Sequence, residues 1–353
     1  MKRKVLAWSL GAAISAIAAT SASAGTLEDV KAKGFVQCGV SQGLPGFSNP
    51  DSSNNWTGMD VDFCRAVAAA IFNDPQAVKF TPLSAKERFT ALQSGEVDVL
   101  SRNTTWTMGR DTSLGLKFAG VMYYDGQGFM VRKDLGVTSA KQLDGATVCT
   151  NTGTTTELNL ADYFKANNMK YQVVAIEDSN QVRQAYDEGR CDIFTTDQSG
   201  LYAERLALKN PDDHVVLPEI ISKEPLGPVV RQGDDNWFNV VKWTYFALLD
   251  AEELGITSAN VEEMKGSTNP EIKRVLGVKN EDGSAAGFGT GIGLDEEWVV
   301  HIVKGVGNYG EIFERHLGTG DGALGIGRGP NGYGHPFDTT NNRIFFVPPL
   351  GAP

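Results

Sequence analysis

Residues 103–111 read Asn-Thr-Thr-Trp-Thr-Met-Gly-Arg-Asp, a loop dense in hydroxyls with one amide and one guanidinium. These donors suit a small anion. Arg110 can grip a carboxylate with two parallel N–H···O bonds, with the loop's hydroxyls, amide and backbone N–H groups around it. A second hydroxyl-rich turn, Asn151-Thr152-Gly153-Thr154-Thr155-Thr156-Glu157, precedes an apolar helical pattern, and the free N–H groups at a helix start also favour anions. Thr195-Thr196-Asp197-Gln198 supplies a carboxylate for a cation. One Arg, one Asp and hydroxyls from two places suit a zwitterion. Taken singly each piece is an ordinary turn or cap, so the weight lies in where the surrounding elements put them.

Those elements alternate between strand and helix. Phe35–Val40, Val78–Leu83 and Val97–Leu100 read as strands, with helices over Met59–Phe72 and Lys86–Ser94, the latter stopped by Gly95. The pattern then restarts. Ala146–Cys149, Tyr171–Ala175 and Cys191–Thr195 read as strands, with helices from about Glu157 to Ala166 and over Ser179–Glu188. Alternation of this kind predicts parallel sheets covered by helices, here as two similar α/β lobes. In open α/β sheets ligands bind beyond the carboxyl ends of the strands. All three hydroxyl-rich segments fall there.

Two short, Gly-containing apolar stretches, around 126–132 and 223–232, are the expected crossings between lobes. The chain leaves the first lobe and returns to it, giving lobe 1 from 25–127 and 231–353 and lobe 2 from 128–230. A helical region is expected over 237–276, its aromatics spaced for packing. Residues 277–353 hold 18 of the 40 glycines, interrupted by one helix expected from Asp295 to Leu317. This C-terminal extension is expected to dock on the first lobe.

Charge and targeting narrow the function further. The chain carries 32 basic and 43 acidic residues, a net −11, the wrong sign for a nucleic-acid binder or a protein held at an anionic membrane. Lys2-Arg3-Lys4, the apolar run Val5–Ala19 and Ala22-Ser23-Ala24 read as a signal peptide at 1–24, cleaved after Ala24, which directs the chain to the periplasm. Export makes the four cysteines candidates for bridging. Three connectivities are possible, and pairing within each α/β segment, Cys38–Cys64 and Cys149–Cys191, is favoured over free buried thiols. His214, His301, His316 and His335 are isolated, so no metal or other cofactor is expected. Gly327-Arg328-Gly329-Pro330-Asn331-Gly332 matches G-x-G-x-x-G, but the following Tyr-Gly-His-Pro cannot open the helix a dinucleotide site requires.

As a set, Met59-Asp60-Val61-Asp62-Phe63, residues 89–98 (Phe-Thr-Ala-Leu-Gln-Ser-Gly-Glu-Val-Asp), Thr105-x-Thr107-x-x-Arg110, Gly153-Thr154-Thr155 and Gly189-Arg190-Cys191-Asp192 with Asp197 resemble the periplasmic polar amino-acid-binding proteins of ABC transporters (solute-binding protein family 3). Within them the chain is most similar to the general L-amino acid-binding branch. The resemblance spans roughly residues 26–276. It implies a two-lobed, type II Venus-flytrap clamp that closes on one L-amino acid and delivers it to a membrane permease. By the same resemblance Arg110, Thr105, Thr154 and Thr155 hold the α-carboxylate, while Asn103 and Asp197 take the α-ammonium. Ser41 stands where that pattern often has Asp, and Leu44 and Ala85 stand where it often has aromatics. The side-chain pocket is therefore expected to be wide, with Phe47 a nearby aromatic, and specificity broad across polar and aliphatic amino acids. A monomer is expected.

Two other functions fit the same fold. A cyclohexadienyl or arogenate dehydratase would need an acid–base carboxylate in the cleft beyond those clamping the ligand, and only Asp197 is placed there. A soluble amino-acid sensor would differ in its partner, not in its cleft.

Overall fold

A computed structural model of the chain describes residues 25–331; the expected leader, residues 1–24, and the tail from Gly332, including the last glycine of the G-x-G-x-x-G match, lie outside the described residues. The strands that build the site run in chain order as β1 (Val36–Val40), β2 (Val78–Pro82), β3 (Val99–Leu100), β4 (Leu116–Phe118), β5 (Tyr123–Asp125), β6 (Gln127–Arg132), β7 (Ala146–Asn151), β8 (Tyr171–Ile176), β9 (Ile193–Asp197), β10 (His214–Val216), β11 (Glu224–Leu226) and β12 (Val229–Arg231). They form two five-stranded sheets, ordered β2-β1-β3-β12-β4 and β8-β7-β9-β6-β10.

The two sheets share one plan. In the first, β1 lies parallel to β2 and β3, and β12 runs antiparallel to β3 and β4. In the second, β7 lies parallel to β8 and β9, and β6 runs antiparallel to β9 and β10. The antiparallel member in each case is the strand that arrives from the other lobe. Gln127 already pairs in the second sheet and Val229 in the first. Between the lobes β5 and β11 pair antiparallel as a two-stranded ribbon.

Each lobe has its own apolar core. Helix Met59–Phe72 buries an almost continuous apolar run against the first sheet, and Cys64 on it is bonded to Cys38 of β1. In the second lobe Cys149 of β7 is bonded to Cys191, just ahead of β9, and Phe129, Val148, Leu160, Phe164 and Ile193 pack together. Both bridges thus sew neighbouring elements of one lobe.

Two helical expectations are corrected. The helix expected over 237–276 is Asp235–Glu253 followed by two short pieces, Val261–Met264 and Pro270–Val275; Pro270, with no N–H to donate, restarts a helix and cannot continue one. The helix expected over Asp295–Leu317 is two, Trp298–Val306 and Tyr309–His316. Gly307 at φ 85° takes a left-handed turn between them, and Asn308 with Glu311 forms a capping box on the second.

The extension is bound to the first lobe by apolar packing and by charge. Trp298, Val299, Ile302, Tyr309 and Phe313 belong to the same buried cluster as Met59, Phe63 and Val67. On helix Met59–Phe72, Asp62 receives Arg315 at 2.6 Å and His316 at 2.6 Å. Burial by itself would raise the Asp62 carboxyl, but the His316 hydrogen bond and the His316 and Arg315 charges outweigh it and hold Asp62 down at about 2. The far end of the extension reaches the inter-lobe ribbon, where Asn331 accepts from the Tyr124 backbone N–H at 2.6 Å.

Candidate ligand-binding cleft

The cleft begins at the end of β3. Asn103 has φ 35°, a left-handed conformation that Asn tolerates better than most side chains. The Asp60 carboxylate holds this turn, accepting the Asn103 N–H at 2.9 Å and the Ser101 hydroxyl at 3.1 Å. Burial raises the Asp60 carboxyl to about 6 against those two hydrogen bonds and the charge of Arg102. Thr107 caps the next helix, Met108–Ser113, by accepting the Arg110 N–H at 3.3 Å. Arg110 then folds back and donates Nη1 to the Thr105 carbonyl at 2.9 Å. Across the cleft, helix Thr155–Ala166 starts with Thr154, Thr155 and Thr156 facing the same space, so its unpaired first-turn N–H groups point toward an incoming anion.

These elements enclose a small cavity of about 50 Å³. Ser41, Leu44, Ala85, Asn103, Thr105, Thr154, Thr155 and Asp197 line it, as do Arg88, Arg102 and Glu204. Arg110 does not line it. Its Nη1 is committed to the Thr105 carbonyl. Phe47 is core, packed edge-to-face on Tyr123 at 5.7 Å. The lobes are drawn together over the cavity. Ser84 donates to Glu177 at 3.1 Å, the Ser179 N–H donates to Gln42 at 3.3 Å, and Thr105 and Thr155 hydroxyls lie 3.5 Å apart. Gly153, at φ 75°, comes so near Lys86 of the other lobe that a Cβ would sit 3.0 Å from the Lys86 Cα; a side chain there would prop the cleft open.

Charges inside the cleft are densely mixed. Asp197 at the end of β9 is buried, and burial followed by the Asp125 and Glu224 carboxylates pushes its carboxyl well above the usual range, against Arg88 and Arg110. Asp125 is raised to about 6, first by burial, although Ser199 and the Gly126 N–H bond to it. Burial also lowers Arg88 well below the ordinary guanidinium range, helped by the like charges of Arg102 and Arg110. An amino acid's ammonium beside Asp197 would relieve the first strain, and its carboxylate would relieve the second.

Three contributors were not legible as site residues. Glu224 on β11 lies in a stretch that reads only as a crossing. Arg102 follows β3 with no spacing to mark it. Arg88 gave one sign, a cation at the first position of a helix, where the macrodipole disfavours it.

Residues 36–256 match the profile of the bacterial extracellular solute-binding proteins, family 3. The chain belongs to this family. It therefore works outside the cytoplasm, and the two-lobed α/β clamp is the family's fold. This family 3 protein is 64% identical over 331 residues, covering 94% of it and 96% of the relative, to the general L-amino acid-binding periplasmic protein AapJ of Rhizobium johnstonii. It is 53% identical over 339 residues, 96% and 97% of the two chains, to the glutamate/glutamine/aspartate/asparagine-binding protein BztA of Rhodobacter capsulatus. Among solved structures it is similar to an ABC transporter periplasmic binding protein from Brucella ovis with glutathione bound, at 61% identity and TM-score 0.88, covering 93% of this chain and all of that one. These relatives are binding proteins.

Proposed function

We propose that this protein captures L-amino acids in the periplasm, closes over them and delivers them to the membrane permease of an ABC transporter. The first lobe runs from residue 25 to the inter-lobe ribbon and again from Val229 onward, and the second from Gln127 to that ribbon, each crossing falling within two residues of the bounds expected from sequence, after removal of a signal peptide at Ala24. The main-chain N–H groups at Thr105 and at Thr154 and Thr155, where helix Thr155–Ala166 starts, hold the α-carboxylate, since the three hydroxyls are already donated to Glu224 and the Asn151 carbonyl. Arg110, bonded to the Thr105 carbonyl, supplies positive charge. Asp197 and the backbone at Asn103 take the α-ammonium. Ser41, Leu44 and Ala85 bound the side chain. The observation that carries this reading is the enclosed cavity between the lobes, with a helix N-terminus and a buried carboxylate on its wall.

Breadth follows from the walls. An apolar or water-filled pocket separates neighbouring side chains by only ~1–3 kcal/mol. Calorimetry with glutamate, glutamine, histidine, leucine and alanine tests the proposal: several should bind within roughly tenfold to hundredfold of one another, which is that same free-energy span. D-enantiomers should bind far worse, since both α-groups are fixed. Failure of every L-amino acid to bind would overturn the reading.

A further inference from the structure

Two guanidiniums face the cavity without an anion of their own. Arg88 and Arg102 both line it and are 3% and 6% exposed. Arg102 donates Nε to the Leu83 carbonyl at 3.0 Å, and its two Nη nitrogens make no hydrogen bond among the described residues. Arg88 has one long bond, Nη1 to the Thr104 hydroxyl at 3.4 Å, and its buried Nε has no partner. Neither makes a salt bridge among the described residues; Asp60 and Asp197 act on Arg102, and Asp197 and Glu224 on Arg88, only from a distance, and the Asp60 oxygens bond to Ser101 and the Asn103 N–H. A buried charge without a partner costs several kcal/mol in general, so a fold that keeps two of them on a cavity wall provides for an anion that arrives from outside.

Their position says which anion. The α-carboxylate end of the cleft lies at Thr105 and Thr154–Thr156, where Arg110 stands. Arg102 is tied to Leu83, two residues from Ala85, so it sits at the end assigned to the side chain. Ala85 is small, and no ring from that position covers the guanidinium. Planar Nη groups left free in this way match a carboxylate bidentately.

We infer that Arg102 forms a second carboxylate subsite that reads the side chain of acidic amino acids, so that L-glutamate or L-aspartate is held at both ends. Arg88 stands nearer the α-carboxylate end, with its guanidinium on Thr104 and over the same Phe89 ring as that of Arg110. The inference rests on the amino-acid-binding reading above and deepens it. Within a broad range of ligands, acidic side chains stand at the tight end, and they do so through Arg102.

The test has two arms. In the first, calorimetry compares L-glutamate with its γ-methyl ester on the unaltered protein; the ester keeps the chain and removes the charge. Loss of one partner from a desolvated charge pair predicts binding weaker by roughly 30-fold or more. In the second, Arg102→Met and Arg102→Lys are compared with L-glutamate and L-leucine as ligands. Arg102→Met should lose at least about tenfold more affinity for glutamate than for leucine, and Arg102→Lys should recover part of that difference. Equal binding of glutamate and its ester overturns the inference even if the variant fails to fold, and so do equal losses for glutamate and leucine. Both results leave amino-acid binding itself standing, whereas absence of binding by glutamate and leucine alike on the unaltered protein removes the underlying function.

Discussion

The Thr105 hydroxyl donates to the Glu224 carboxylate at 2.6 Å, and the Thr155 hydroxyl, from the opposite lobe, donates to the same oxygen at 2.9 Å. Glu224 sits on the crossing strand β11 and is 2% exposed. Its other oxygen accepts Asn159 at 2.8 Å and Ser222 at 2.6 Å. One carboxylate on the ribbon between the lobes therefore ties Thr105 of the first lobe to Thr155 and Asn159 of the second.

Glu224→Gln should loosen that tie. The amide keeps the shape but presents an N–H₂ group where a carboxylate oxygen accepted two donors; with hydroxyl rotation relieving part of the mismatch, the cost is about 1–2 kcal/mol. Calorimetry should show affinity reduced about five- to thirtyfold for every amino acid alike, and small-angle scattering should show a larger mean radius. Unchanged affinity would mean that Glu224 plays no part in closure.

Ligand binding should release a proton. Burial and the neighbouring carboxylates hold Asp197 well above the usual carboxylate range, so it is protonated in the free cleft at pH values where an exposed Asp is ionised. An α-ammonium favours the anion and lowers that pKa on binding. Between the bound and free values the complex holds one proton fewer than the free protein, so affinity rises with pH across that window, by at most ~tenfold per unit, and levels off above it. Titrations in buffers of different ionisation heat should reveal the released proton. Asp197→Asn should lose both the proton and most of the affinity; heats that do not depend on the buffer would refute the assignment.

The bridge Cys149–Cys191 closes a sequence separation of 42 residues. The chain-entropy argument gives it about 3–4 kcal/mol of stability. Guanidinium unfolding of the double Cys→Ser variant should show a loss of that order in the second lobe, with ligand affinity nearly unchanged because the bridge does not span the cleft. A loss below about 1 kcal/mol would show that little chain freedom is removed by it.

Trp298 is 2% exposed within the core shared by the extension and the first lobe. Trp298→Ala should destabilise by about 3–5 kcal/mol in chemical unfolding. A change under about 1 kcal/mol would show that the extension lies on the lobe without being part of its core.

Local pattern determined much of this protein. Strand and helix periodicity placed the two α/β lobes, because a buried parallel strand and an amphipathic helix each write a recognisable period into the residues. Thr105, the threonines at 154–156 and Asp197 are each ordinary turn or cap residues taken singly, but the strand–helix alternation sets them at matching strand ends, and the structure places all of them on the cavity wall. Helix ends were less legible: the break at Gly307 depends on a left-handed φ and a capping box that the apolar pattern runs straight through. Only the tertiary structure decided which charges gather around the cavity. Arg88 reads as an ordinary helix residue until the first sheet buries it, Glu224 as part of a linker until both lobes donate to it, and Arg110 as the foremost cation until its Nη1 is found on the Thr105 carbonyl. Burial and proximity between residues distant in sequence set those roles, because desolvation and charge–charge attraction depend on distance and not on sequence spacing.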